Sequence, residues 1–122
     1  PLRVSQRDRL MDSLVLLDWP RRAPYREMIA RFLARLVSHV DGVRSRGSAA
    51  LALCYVAAGW ADGYFQFTLG PWDVAAGLLM VEEAGGQVTD LHGEPYALTK
   101  ADWLVTNGLI HQAILDLQPY ES

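Results

Sequence analysis

The sequence predicts an α/β fold: a layered domain with a central, largely parallel or mixed sheet of about five strands between helices. Three observations carry this. Segments that read as strands alternate with segments that read as helices along the whole chain. One of them, Ser13-Leu14-Val15-Leu16-Leu17-Asp18, is a continuous apolar run of strand length, the pattern of a strand covered on both faces. Two of the helical segments are apolar nearly throughout, which sets them against protein and not water. With 122 residues, 51% of them apolar and 20% charged, the chain has the size of one domain, 1–122, and the composition of a globular one. Its apolar runs are too short to span a bilayer.

Residues 2–5 form a short extended segment. After the 13–18 strand, Trp19-Pro20 breaks the pattern and Pro24 opens a helix. Met28, Ile29, Phe32, Leu33, Leu36, Val37 and Val40 recur at helical spacing, with Arg26, Glu27, Arg31, Arg35 and Ser38 on the other side. That is an amphipathic helix with one face on a core, closed by Asp41-Gly42. Residues 43–46 are a second strand. Gly47-Ser48 opens a buried, alanine-rich helix over 49–58, for which Ser48 is a fitting N-cap. Asp62-Gly63 is a turn before an aromatic strand, 64–69. Residues 72–84 form the next apolar helix. Gly77 within it costs about 1 kcal/mol relative to Ala and marks a close backbone approach. Residues 87–91 and 103–106 are strands. Ile110, Ala113, Ile114 and Leu117 line one face of a closing helix.

Charge and special residues exclude several classes. Residues 1–61 carry ten Arg and five acids; residues 62–122 carry one Lys and nine acids. The basic half lacks the interleaved aromatics of a base-stacking platform, so it reads as a solvated face with no nucleic-acid partner. His39, His92 and His111 show no ligand spacing and are expected to be solvated. Cys54, the single cysteine, cannot form an internal disulfide and is expected to be a buried, inert thiol. The start, Pro1-Leu2-Arg3-Val4-Ser5, has no initiator Met and no secretory leader, so the chain is expected to be excised or processed from something longer. A reducing cytoplasm is the expected compartment.

One stretch organises the rest: Gly70-Pro71-Trp72-Asp73-Val74-Ala75-Ala76-Gly77, running on to Glu82-Glu83-Ala84-Gly85-Gly86. It reads as a turn, an apolar helix and a glycine stop. Asp73 stands alone as a carboxylate in the first turn, where the helix dipole favours its charge. Spacing alone leaves it open as an N-terminal cap or as a ligand-facing acid.

The wording of this stretch resembles the C-terminal signature of the inositol monophosphatase family, magnesium-dependent and often lithium-sensitive phosphatases of small phosphate esters. The resemblance implies that Asp73 is a catalytic metal ligand close to a substrate hydroxyl. Gly47-Ser48-Ala49-Ala50, followed by Val56-Ala57-Ala58-Gly59, looks like the family's substrate-side helix, so Gly47, Ser48 and Ala49 inherit a substrate-contact role; a plain cap on a buried helix is the competing reading. Asp62-Gly63-Tyr64-Phe65 is also similar to the family, whose following strand leads to an acid, commonly Glu, that bonds substrate hydroxyls. Here Gln66 stands at that position. An amide can donate and accept but brings no negative charge, which points away from inositol monophosphate and toward another sugar phosphate.

The resemblance also implies a metal centre that draws a Glu and an Asp-Pro-(Ile/Leu)-Asp-Gly-Thr segment from the family's N-terminal half, and no match to either occurs in this sequence. Glu82 and Glu83 are roughly 14 Å along the helix from Asp73, too far to share an ion with it. The resemblance therefore implies the C-terminal, substrate-side half of a two-part enzyme, with the N-terminal metal-binding half absent and Asp73 completing a Mg2+ site built mostly there. In the whole enzyme magnesium would activate water for in-line attack and stabilise the leaving alkoxide. The expected substrate is inositol phosphate or a related sugar phosphate; fructose bisphosphate, histidinol phosphate and adenosine bisphosphate remain open. The alternative is a non-catalytic fragment or interaction domain that folds and associates but has no activity alone. Either way an apolar surface is expected to be covered, in a homodimer or by the chain's own N-terminal half.

Overall fold

The computed structural model describes residues 2–20, 23–45, 47–67, 74–97 and 102–120. After a short 3-10 turn, Leu10–Asp12, the elements are β1 (Leu14–Leu17), α1 (Ala23–Leu36), β2 (Gly42–Ser45), α2 (Ala49–Ala57), β3 (Gly63–Gln66), α3 (Ala75–Glu83), β4 (Gln87–Thr89), β5 (Trp103–Thr106) and α4 (His111–Leu115). The five strands form one mixed sheet in the order β2-β1-β3-β5-β4. β1 runs parallel to both β2 and β3. β5 is antiparallel to both β3 and β4. Chain order runs from β3 through α3 to β4, yet β5 occupies the place between those two strands.

Alternation along the strands sorts the core into two layers. Leu16, Tyr64, Trp103 and Val105 pack on one face with Ala52, Leu53, Val56 and Ala57 of α2 and Leu78 and Val81 of α3. Val15, Leu17, Phe65 and Leu104 pack on the other with Ile29, Phe32 and Leu36 of α1 and Ile114 of α4. The amphipathic reading of α1 holds for Ile29, Phe32, Leu36 and Val40, but Val37 is 52% exposed because the helix ends at Leu36 and the chain turns before β2. α2 and α3 touch at the predicted close approach: a Cβ on Gly77 would lie 2.6 Å from Leu53 Cδ1.

Four expectations are corrected. Residues 2–5 pair with no strand among the described residues; Val4 N–H instead donates to Ala84 O at 3.1 Å. α2, and α3 as far as Val81, are apolar all round but not buried all round, since Leu51 and Leu79 are exposed on their outer sides. Cys54 shares that exposed side of α2, so it is not the buried thiol its neighbours suggested. A helix lying on a sheet buries one face whatever the other face carries.

The fourth correction concerns Asp62, which is not a turn residue at the surface. It is 1% exposed at the start of β3. Its carboxylate accepts hydrogen bonds from Leu14 N–H at 2.8 Å and Arg7 Nη1 at 3.1 Å, and a short one from the Ser5 hydroxyl. Asn107 joins the same cluster, donating to Ser5 Oγ and Arg7 O, while its carbonyl oxygen accepts from Leu109 and Ile110 N–H ahead of α4. Asp62 thereby ties the N-terminal segment to the amino end of the sheet.

Candidate functional site

The parallel strands give the sheet a direction. β1, β2 and β3 end together, with Leu17 opposite Ser45 and Phe65. β5 begins at the same edge, with Trp103 opposite Gln66. Past this edge the chain enters α2 after β2 and α3 after β3. In open α/β sheets the crevice outside the carboxyl ends of the strands is where ligands bind. Asp62 and Asn107 lie at the other end.

Ser48, extended at φ −148°, caps α2: its side chain accepts from Leu51 N–H at 3.2 Å. This is the competing reading of Ser48, now observed, although a capping hydroxyl keeps its own proton to donate. Gly47 adopts φ +70°, and a Cβ there would meet nothing within 4 Å. Ala49 is partly buried against the α2–α3 layer. The first N–H groups of α2 have no partner inside the helix, as at any helix start.

Gln66 is fully buried and belongs to a polar cluster at this edge. The Tyr64 hydroxyl lies 2.6 Å from Asp18 Oδ2 and 2.8 Å from Gln66 Oε1. It has one proton for two acceptors. Burial first, then the hydrogen bond to Asp18 and the Asp18 charge, push the Tyr64 hydroxyl far above the ordinary phenol range. Tyr64 is therefore a neutral donor at any physiological pH. Among the described residues, three buried atoms here have no partner: Asp18 Oδ1, Gln66 Nε2 and Trp103 Nε1. The turn after Asp18 is held from α1, where the Arg26 guanidinium sits over the Trp19 ring at 5.2 Å and donates to Pro20 O at 3.2 Å.

Asp73 lies outside the described residues, with the whole 68–73 stretch. The structure thus brings Gly47, Ser48, Ala49 and Gln66 to one edge of the sheet. Asp18, Tyr64 and Trp103 are the residues that sequence reasoning passed over. Asp18 had a usable signal as the first charge after the apolar 14–17 run, at the carboxyl end of a core strand.

The histidines play no part in this polar cluster. His39 and His92 are exposed as expected; His92 stacks on Tyr120 with ring centroids 4.2 Å apart. His111 corrects its expectation, being 2% exposed. Its Nε2 lies 2.7 Å from Thr89 Oγ1 and its Nδ1 lies 2.8 Å from Thr106 Oγ1. The Thr89 hydroxyl donates to Asp90 O, so it accepts from His111 Nε2–H. Thr106 then donates to the bare Nδ1 and accepts from Gly108 N–H. Burial favours the neutral ring in this network and lowers the His111 pKa from 6.5 to about 4.

Layers, strand order and the polar cluster at the carboxyl edge define a mixed-sheet α/β domain. Comparison with known proteins specifies it. The model of the inositol monophosphatase family matches residues 1–120. The chain is 40% identical over 116 residues to an inositol-1-monophosphatase of Mesorhizobium japonicum, covering 93% of this chain and 43% of that protein. Among solved structures, the extragenic suppressor protein suhB of Bartonella henselae superposes with a TM-score of 0.89 at 39% identity, covering 95% of this chain and 45% of that one. An inositol monophosphatase from Anabaena (Nostoc) superposes at 0.86 and 38% identity, covering 96% and 47%. The chain belongs to the inositol monophosphatase family. It spans a little under half the length of these relatives.

For the family's metal the fit is poor in what is described. Among the described residues no three Asp, Glu, His or Cys side chains converge as ligands. Magnesium asks for near-octahedral oxygen ligation, usually by carboxylates with waters and phosphate. The described residues do not make that site by themselves.

Proposed function

We propose that this chain is the substrate-side part of a magnesium-dependent phosphomonoesterase acting on a small phosphorylated polyol or sugar. The match to the inositol monophosphatase family over residues 1–120 carries the reading. The chain's own residues would bind and orient the ester. The start of α2, with Gly47 leaving open space and Ser48 holding the first turn, offers free N–H groups to an oxygen-rich ligand. Gln66 would face the hydroxylated part of the substrate. Asp73 would be one carboxylate ligand of a metal site whose other ligands come from an N-terminal half. We place the whole enzyme in the cytoplasm, as a homodimer or with its halves paired. Among the described residues no helix is long and apolar enough to cross a membrane.

The test is phosphate release with magnesium, measured for this chain alone and for this chain joined to a complementary N-terminal half from a family relative. Activity is expected only in the joined protein. Asp73→Asn should lower it by about 1000-fold if the residue both ligates metal and contacts substrate, while the unfolding free energy stays within about 0.5 kcal/mol of the parent. Full activity of the chain alone, or of the Asp73→Asn protein, would refute the reading. No phosphate release from the joined protein with inositol or sugar phosphates would favour the interaction-domain alternative.

A further inference from the structure

The residues after α4 are held more firmly than a chain end usually is. Two features fix their backbone. Arg35 of α1 donates from Nε to Leu117 O at 2.9 Å and from Nη2 to Gln118 O. Gln118 itself has φ +55°, the left-handed backbone that glycine or asparagine usually supplies at a helix exit. Among the described residues it is the one non-glycine residue in that conformation. Such backbone persists where the surroundings over-determine it. Here the guanidinium fork of Arg35 and the buried Pro119 do so.

The segment delivers one aromatic ring to the carboxyl edge of the sheet. Tyr120 meets Phe67 edge to face, with centroids 5.3 Å apart and planes at 86°, and stacks flat on His92 at 4.2 Å. Its hydroxyl donates to Asp102, whose Oδ2 also accepts from Leu91 N–H at 3.0 Å. Burial first, then the Asp102 charge, hold that hydroxyl above the ordinary phenol range, so it stays a neutral donor. Phe67 follows β3, Asp102 precedes β5, and Leu91 and His92 lie in the turn after β4. The Asp90 carboxylate closes that turn, accepting from His92 and Glu94 N–H at 2.9 Å each. Register puts all three connections at one edge, since Gln66 is opposite Trp103 and Thr89 opposite Leu104. One side chain near the end of the chain therefore bridges the exit of β3, the turn after β4 and the entry to β5. The chain that leaves β3 at Phe67 is the one that carries Asp73 in the sequence.

We propose that residues 117–120 form a strap that sets the geometry of the carboxyl edge for the reaction, with Tyr120 as a positioning residue. It touches no substrate; it acts by fixing the exit of β3 and the turn after β4 relative to each other. The effect on turnover rests on the phosphatase reading above, and the strap itself does not.

The variants are assayed in the joined protein, at a temperature where circular dichroism shows each to be fully folded. Tyr120→Ala should lower kcat about 10- to 100-fold, the range of a small misplacement of reacting groups, with KM within about threefold of the parent. Tyr120→Phe keeps both ring contacts and loses only the bond to Asp102, so it should recover most of the loss. Arg35→Met frees the backbone of the strap without altering Tyr120; it should lower kcat in the same way, and it carries the test if Tyr120→Ala does not fold. Parent-like kcat in Tyr120→Ala and Arg35→Met overturns the positioning role. If the parent joined protein releases no phosphate, the phosphatase reading fails, and the strap is then read by amide hydrogen exchange. Tyr120→Ala should speed exchange at Leu91, His92 and Glu94 by about 10-fold or more, while Leu14 N–H, bonded to Asp62 at the opposite end of the sheet, stays within about twofold. Equal change at both ends, or none at either, overturns the strap.

Discussion

Protonating His111 should cost the fold a measurable part of its stability in mild acid. The ring is held neutral in the native state by its burial, with Nε2–H donating to Thr89 and Nδ1 accepting from Thr106. Burial lowers its pKa to about 4, against 6.5 for the free side chain. The unfolded chain therefore binds the proton more readily than the folded one. The stabilisation is fully present above pH 6.5 and is lost as pH falls to about 4. A gap of about 2.5 pKa units corresponds to about 3 kcal/mol in all, or a little over 1 kcal/mol for each pH unit in that window. Urea unfolding followed by tryptophan fluorescence, from pH 7.5 to 4.5, measures it. Other groups titrate over this range, so the comparison is with His111→Gln, which keeps one amide in reach of the threonines and does not titrate. At pH 7.5 the variant should be less stable by about 1–3 kcal/mol, the cost of one buried hydroxyl left unsatisfied. The gap should close as pH falls. A difference between the two proteins that stays constant with pH would show that His111 does not titrate in this window, and the network assigned to it would be wrong.

Two more perturbations follow from packing and from the hub at the amino end of the sheet. Gly77→Ala puts a methyl group 2.6 Å from Leu53 Cδ1; overpacking of this kind should cost about 1–3 kcal/mol despite the better helix propensity of Ala, and a rise in the urea midpoint would contradict the close α2–α3 contact. Asp62→Ala leaves Leu14 N–H and Arg7 without their acceptor. It should lower stability by about 2–4 kcal/mol and increase hydrogen exchange at Leu14, and an unchanged exchange rate would count against the hub.

Much of the architecture could be read from local patterns. The apolar run ending at Asp18 became β1, the 3.6-residue rhythm of Ile29, Phe32 and Leu36 became the buried face of α1, and Gly77 became the helix contact. What local patterns do not contain is partnership at a distance. Nothing in Trp103-Leu104-Val105-Thr106 says that it pairs antiparallel with β3, because a strand buried on both faces looks alike in either direction. The same holds for single polar residues. Asp62 looked like a turn acid because Asp-Gly pairs usually make turns, and its burial depends on Ser5 and Arg7 more than fifty positions away. His111 looked solvated because its two threonine partners come from β4 and β5. At the candidate site, Gln66 and the opening of α2 were legible as motifs. Asp18 was marked only as the first charge after the β1 run; its partner, the Tyr64 hydroxyl, comes from a neighbouring strand.

The placement of β5 between β3 and β4 also governs the order in which the molecule can assemble. β4 leaves the ribosome before β5, yet every strand partner it has in the main sheet is β5. Until β5 arrives, β3 presents a bare edge and β4 has, among the described residues, only the Thr89–Pro95 bridge. Sheet closure is therefore a late, non-local event, of the kind that slows folding and exposes strand edges to other chains while they wait. Premature termination within the β4–β5 connection should yield an aggregating product, not a smaller folded one.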